Sequence, residues 1–166
     1  MQLKRVVVTG LGALTPIGNN IQEYWDALIS GKSGAAPITY YDTEKHKTKF
    51  ACEVKNFNIE EFIDRKEARR MDKFAQYAIV AGEQAIADAG ILDSNVNKQR
   101  VGVIWGAGIG GLETFQEEVL SYAKGDGTPR FNPFFIPKMI ADIAPAHISM
   151  RNGFMGPNYT TVSACA

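Results

Sequence analysis

Arg100-Val-Gly-Val-Ile-Trp105 is a short apolar run that breaks into Gly106-Ala-Gly-Ile-Gly-Gly111, and an amphipathic pattern then runs from Leu112 to Ala123. This unit constrains the fold more than any other stretch. An apolar run without polar alternation suits a strand buried on both faces, the usual state of a parallel strand. The same order opens the chain, where Arg5-Val-Val-Val-Thr leads into Gly10-Leu-Gly-Ala-Leu-Thr-Pro-Ile-Gly18. Strands that alternate with helices place the chain in the α/β class, with a mainly parallel sheet. The length of 166 residues is enough for a sizeable core, and no linker or repeat divides it.

Helix signals punctuate the rest. Asn20 with Glu23 forms a capping-box pattern before Tyr24, Trp25, Leu28 and Ile29, and Gly31 stops the helix. Residues 32–58 read as irregular, with one strand at 49–54 that turns Cys52 into a core. A long helix is expected from Arg65 to Ala89. Its apolar positions recur at three and four, and their many alanines let a neighbour approach closely, as in a helix sandwiched inside the protein. Its first turns carry Arg65, Lys66, Arg69, Arg70 and Lys73. This cluster is either a solvated face paired locally with Asp64, Glu67 and Asp72, or a docking site for an acidic partner. Further on, Asn132 and Pro133 fit the start of a short helix, and a helix over 144–152 has Pro145 at its start and Gly153 at its end.

Two glycine loops invite a nucleotide reading. Gly10 to Gly18 does not open directly into a helix, because Pro16 and Gly18 intervene. Gly106-Ala-Gly108-Ile-Gly-Gly111 has the dinucleotide spacing and context, but Asp126 lies in a Gly-Asp-Gly turn and not at the end of a second strand. A nicotinamide or flavin oxidoreductase therefore stays as an outside reading. The formal net charge is zero, which argues against a general pull toward nucleic acid or membrane. Cys52 and Cys165 make neither a metal cluster nor a disulfide framework, so a reducing, cytoplasmic setting is expected. His147 is a lone helical histidine and His46 lies in a polar loop; both read as structural or solvated.

The last stretch, Asn158-Tyr-Thr-Thr-Val-Ser-Ala-Cys165-Ala166, reads as a strand that runs into Cys165 through small residues. Two readings stand. A nucleophile on a tight strand-to-helix turn would have its thiolate favoured by the N–H groups of the next helix. A small cysteine buried in a core strand is the other.

The ordered set of motifs goes further. V-V-V-T-G-L-G at 6–12, R-K-E-x-R-R-M-D at 65–72, G-x-G-I-G-G-L at 106–112, F-F-I-P at 134–137, G-P-N at 156–158 and T-x-S-A-C-A at 161–166 occur in sequence. Together they resemble the β-ketoacyl-[acyl-carrier-protein] synthases, most closely the type II elongating branch of bacterial fatty acid synthesis. The resemblance covers the whole chain. It implies a thiolase-like fold, an αβαβα layered sandwich of two similar βα halves, of which residues 1–166 form the N-terminal half. The C-terminal half, with the family's two histidines, lysine and gating phenylalanine, is expected to be absent from this chain.

The resemblance also implies an activity. Cys165 would be the catalytic nucleophile of a decarboxylative Claisen condensation that lengthens an acyl chain by two carbons. Lys66, Arg69, Arg70 and Arg130 would dock the acyl carrier protein. Ile109, Phe134 and Phe135 would line the acyl pocket, and type I relatives tend to have a smaller residue at the position of Ile109. The strand at 158–163 would pair with its twin in a homodimer. No metal and no resident cofactor is implied, since phosphopantetheine arrives on the carrier protein, and neither nucleic acid nor membrane is an expected partner. A polyketide ketosynthase with another carrier is the near alternative. A non-catalytic fragment that keeps only carrier and dimer surfaces is the alternative from another class.

Overall fold

The structure, a computed structural model, describes residues 4–163. Its elements run α1 (Ile21–Ile29), β1 (Ala36–Pro37), β2 (Phe50–Ala51), α2 (Arg65–Ala68), α3 (Lys73–Asp88), β3 (Val103–Gly106), α4 (Leu112–Lys124), α5 (Phe135–Met139), α6 (Ile143–Asn152) and β4 (Asn158–Thr161). Single 3-10 turns precede α2 and β3, at Ile59–Glu61 and Lys98–Arg100. β1 and β2 form a short antiparallel pair. β3 and β4 pair in parallel, with Val103 opposite Asn158 and Gly106 opposite Thr161. The chain between these two strands contributes three helices, the crossover that a parallel pair requires. Among the described residues, no helix is long and apolar enough to cross a membrane.

α3 is the centre of the core. No residue from Met71 to Ile86 is exposed. Ala75, Ile79 and Ile86 meet Ile148 of α6, together with Ile63, Ala68, Met71 and Phe154, and Val103 and Trp105 pack on this cluster from the sheet. The alanines serve the close approach expected of them. Residues 9–13 lie along α3 so tightly that a Cβ on Gly12 would stand 2.0 Å from the Ala81 carbonyl oxygen. The Leu11 and Ala13 N–H groups donate to Asp88 and Gln84 on the same helix.

Several local expectations need correction. The helix foreseen over 65–89 is divided into α2 and α3. The apolar period continues through Met71, but the Asp72 carboxylate accepts from Phe74 N and Asp72 takes extended backbone angles, which start a new helix. Val6, Val7 and Val8 join no ladder among the described residues, and Val6 and Val8 are 90% and 80% exposed. The backbone at 11 and 13 bonds to α3 side chains and not to a strand. β3 is covered on one face only: Val103 and Trp105 are partly buried, while Ile104 and its neighbour across the register, Tyr159, stand exposed. Cys52 is exposed as well, because β2 ends at Ala51, which turns inward, and the next side chain in the alternation faces out. α5 starts two residues beyond the Asn132–Pro133 signal. Asn132 instead accepts from Phe134 N at 2.8 Å through its side chain and from Phe135 N at 2.8 Å through its carbonyl.

Other ends fall where the residues point. Asn20 caps α1 by accepting from Glu23 N at 2.9 Å, and the Glu23 carboxylate returns to Asn20 Nδ2 and Asn19 N. Gly153 closes α6 in the left-handed conformation.

Candidate functional site

A cleft of about 480 Å³ opens between the turn at 12–15, the α3 residues Phe74 and Tyr77, and the loop at 106–110. It lies beyond the carboxyl ends of β3 and β4, the end at which open α/β sheets bind ligands. Ile109 is exposed on its rim. β4 reaches the same end, where its last residue, Thr161, accepts from Ala107 N at 3.0 Å. Cys165 itself lies outside the described residues.

The loop that carries Ile109 is clamped from two sides. Gly111 N donates to the Met139 carbonyl at 2.9 Å, and Gly110 has φ +103°, where a Cβ would come within 2.5 Å of that oxygen. From the other side, Asp72 Oδ2 accepts from Thr114 N at 3.0 Å and from Thr114 Oγ1 at 2.6 Å. Asp72 is buried, and its charge sits at the N-terminal turns of both α3 and α4, where helix dipoles favour an anion. The first turn of α4 thus holds a protein carboxylate where a dinucleotide reading needs a phosphate. Asp126 does not help that reading. It is exposed, 3.4 Å from Arg130, and the backbone N–H and hydroxyl of Thr128 hold its carboxyl below the usual carboxylate range.

The basic run around α2 resolves into distinct roles. Arg65 pairs with Glu60 at 3.3 Å. The acids that could neutralise the run are engaged elsewhere. Asp64 caps α2 through Lys66 N, Glu67 takes Arg151 of α6 at 2.9 and 3.1 Å, and Asp72 holds Thr114. Lys66 and Arg69 are exposed, three positions apart, with no ion-pair partner among the described residues. Arg70 covers the Phe134 ring at 4.9 Å. A solvated face paired within itself does not fit this arrangement; a surface with uncommitted positive charge does.

Phe134 and Phe135 are not on the cleft that Ile109 lines. Phe135 stacks at 6.2 Å on Phe115 of α4 and at 5.8 Å on Phe131. The connection back to Ile109 is α5 itself, whose last residue, Met139, holds Gly111. The histidines take no place at the cleft. His46 is exposed in its loop, its ring 5.2 Å from Tyr41. His147 is half-buried on α6, and burial holds its pKa below the ordinary histidine value, with Arg151 acting the same way and Glu67 opposing.

Sequence reasoning missed a second group. Lys73 lies 3.0 Å from Glu113 and 4.4 Å from the centre of the Tyr40 ring. Burial works against the Lys73 charge, but Glu113 more than offsets it and its pKa is raised. Tyr77, beside them, is pushed well above the usual phenol range by burial and by the Tyr40 hydroxyl. These residues come from distant segments, and no local spacing marks them. The Asp72–Thr114 contact had no local signal either, because Asp72 lies inside one continuous apolar period and its partner is 42 positions away.

With this geometry in hand, comparison with known proteins is informative. The family described as β-ketoacyl synthase, N-terminal domain, matches residues 3–166. A 3-oxoacyl-[acyl-carrier-protein] synthase 2 of Staphylococcus aureus strain COL is 51% identical over 99% of this chain and 40% of its own length. One from Synechocystis is 45% identical over 100% of this chain and 40% of its own. The chain therefore spans about 40% of the length of these curated relatives. Among solved structures, the ishigamide ketosynthase/chain length factor is similar with TM-score 0.82 and 29% identity, over 96% of this chain and 40% of that one.

Proposed function

The chain belongs to the β-ketoacyl synthases, whose N-terminal domain it matches over residues 3–166, and from that premise we propose that it is the nucleophile-bearing half of a 3-oxoacyl-[acyl-carrier-protein] synthase of fatty acid elongation. The observation that carries this reading is 51% identity to a synthase of that name over 99% of the chain. It is supported by a parallel strand pair whose carboxyl ends meet the cleft, and by the uncommitted charges of Lys66 and Arg69.

In this reading the Cys165 thiolate attacks the acyl thioester of the carrier protein. A new thioester forms on Cys165 and the carrier leaves as its thiol. A malonyl thioester then loses carbon dioxide to give an enolate, which residues beyond this chain stabilise. The enolate carbon attacks the acyl-Cys165 carbonyl, and collapse of the tetrahedral species expels the Cys165 thiolate and releases a 3-ketoacyl thioester longer by two carbons. Backbone N–H groups, one from Cys165, stabilise the oxyanion. Ile109 borders the space for the acyl chain, Phe134 and Phe135 bear on that space through α5 and not from the Ile109 cleft itself, and Lys66, Arg69, Arg70 and Arg130 meet the acidic carrier protein. The exposed side of β3 and β4 is the seat of the remaining half, and the whole protein works as a cytoplasmic homodimer.

Intact-mass spectrometry tests the assignment. The whole protein is incubated with a long-chain acyl-carrier protein, wild type against Cys165→Ala. The expected result is an acyl adduct on the wild type alone. A folded, reduced wild type that takes no adduct would make Cys165 a core cysteine and the chain an interaction module. The similarity to a ketosynthase/chain length factor favours a polyketide synthase as the second reading; the products formed with fatty acid and polyketide carriers separate the two.

A further inference from the structure

The basic run that ends α2 does more than present charge. We infer that Arg70 is a positioning residue that ties the carrier-docking helix to the Ile109 loop through Phe134 and α5, a role distinct from the docking charges Lys66 and Arg69. This rests on the condensing-enzyme reading given above.

The path is continuous. The Arg70 guanidinium lies over the Phe134 ring at 4.9 Å. Phe134 caps the start of α5, and its carbonyl accepts from Lys138 N at 2.8 Å. The next residue, Met139, accepts from Gly111 N at 2.9 Å, and Gly110 admits no side chain against that same oxygen. Ile109 follows directly, on the rim of the cleft. Two residues beyond Arg70, Asp72 grips Thr114 and so fixes the other end of this loop. Met71 between them is buried, which leaves the Arg70–Asp72 segment little freedom to shift without its contacts. Lys66 and Arg69 make no such contact among the described residues. A planar guanidinium stacks on an aromatic ring in a way that the ammonium of lysine does not reproduce, so charge and stacking can be separated at this position.

The experiment uses the whole protein and two acyl donors, an acyl-carrier protein and the same acyl group on pantetheine, which has no carrier to dock. Transfer to the enzyme is measured across a series of chain lengths. Lys66→Glu should raise KM for the carrier-bound donor, as expected for a docking charge. Arg70→Lys, which keeps the charge, should lower transfer from the pantetheine donor by roughly two- to fivefold and alter the chain-length profile, as expected for loss of one exposed stacking contact. Phe134→Leu should have the same effect, and adding Arg70→Lys to it should change little further. If Arg70→Lys leaves the pantetheine profile as in wild type, or if the two substitutions simply multiply, Arg70 is only a docking charge and the inference falls. A wild type that accepts neither donor overturns the condensing-enzyme reading, and this inference with it.

Discussion

Asp72 shows how one side chain can set several elements. Its carboxylate caps the start of α3 through Phe74 N and fixes the first turn of α4 through Thr114, and it does so while buried. The Thr114 hydroxyl is one of two donors to Asp72 Oδ2, the other being Thr114 N, and a hydrogen bond to a charged group contributes about 1.5–3 kcal/mol. Thr114→Val, which keeps the shape and deletes the hydroxyl, should destabilise the whole protein by that order in urea denaturation, and Thr114→Ser should recover most of the loss. His147 gives a pH-dependent counterpart. Its folded pKa is held below the ordinary value of 6.5 by burial first, so the folded state binds fewer protons than the unfolded chain. Stability is therefore fully present above 6.5 and declines as the pH falls through that value, until the folded form is protonated too. The melting temperature should drop between about pH 7.5 and about pH 5.5, and His147→Gln should flatten that part of the profile. An equal drop in the variant would place the titrating group elsewhere.

At the scale of elements, what was legible in the sequence was what local chemistry decides. The ends of α1 and α6 follow from Asn20, Glu23 and Gly153, which act on their own neighbours. The β3–loop–α4 unit also falls where its apolar run and glycines place it. The break between α2 and α3 was not legible as a break. The apolar period runs through it, and the partner that commits Asp72 is 42 positions away. The alanine-rich face of α3 predicted a close neighbour without saying which. The structure identifies it as the segment around Gly10 and Gly12, whose glycines allow contact with the helix backbone and are not a phosphate cradle. A methyl group at Gly12 would meet the Ala81 carbonyl oxygen at 2.0 Å, against helix backbone that cannot yield easily. Gly12→Ala should therefore destabilise the whole protein by roughly 1–3 kcal/mol, the range for overpacking. Gly108→Ala, with open space at its Cβ, should be far milder in the same measurement.

At the scale of the whole molecule, the sheet carries a meaning that no single element does. Apolar runs at 6–8 and 101–105 predict burial on both sides, yet helices cover one side only among the described residues. Val6 and Val8 are almost bare, and Ile104, Tyr159 and Val162 are at least half exposed. On α4, Phe115, Val119, Leu120 and Tyr122 are exposed as well. Burial of a strand face depends on what packs against it, so the pattern of these runs was readable while the identity of the cover was not. Apolar area of this kind, left in water, drives association, and isolated monomers rarely carry contiguous patches beyond a few hundred Å². The 166-residue chain alone should therefore bind a hydrophobic dye, sediment as a mixture of associated species and unfold without a sharp transition. On the proposed reading, supplying the C-terminal half as a separate chain should quench the dye signal and restore cooperative unfolding, because the open face of β3 and β4 would then be covered. A monodisperse monomer with a cooperative transition and no dye binding would show that the face is stable in water, and would remove the argument that a second half sits on it.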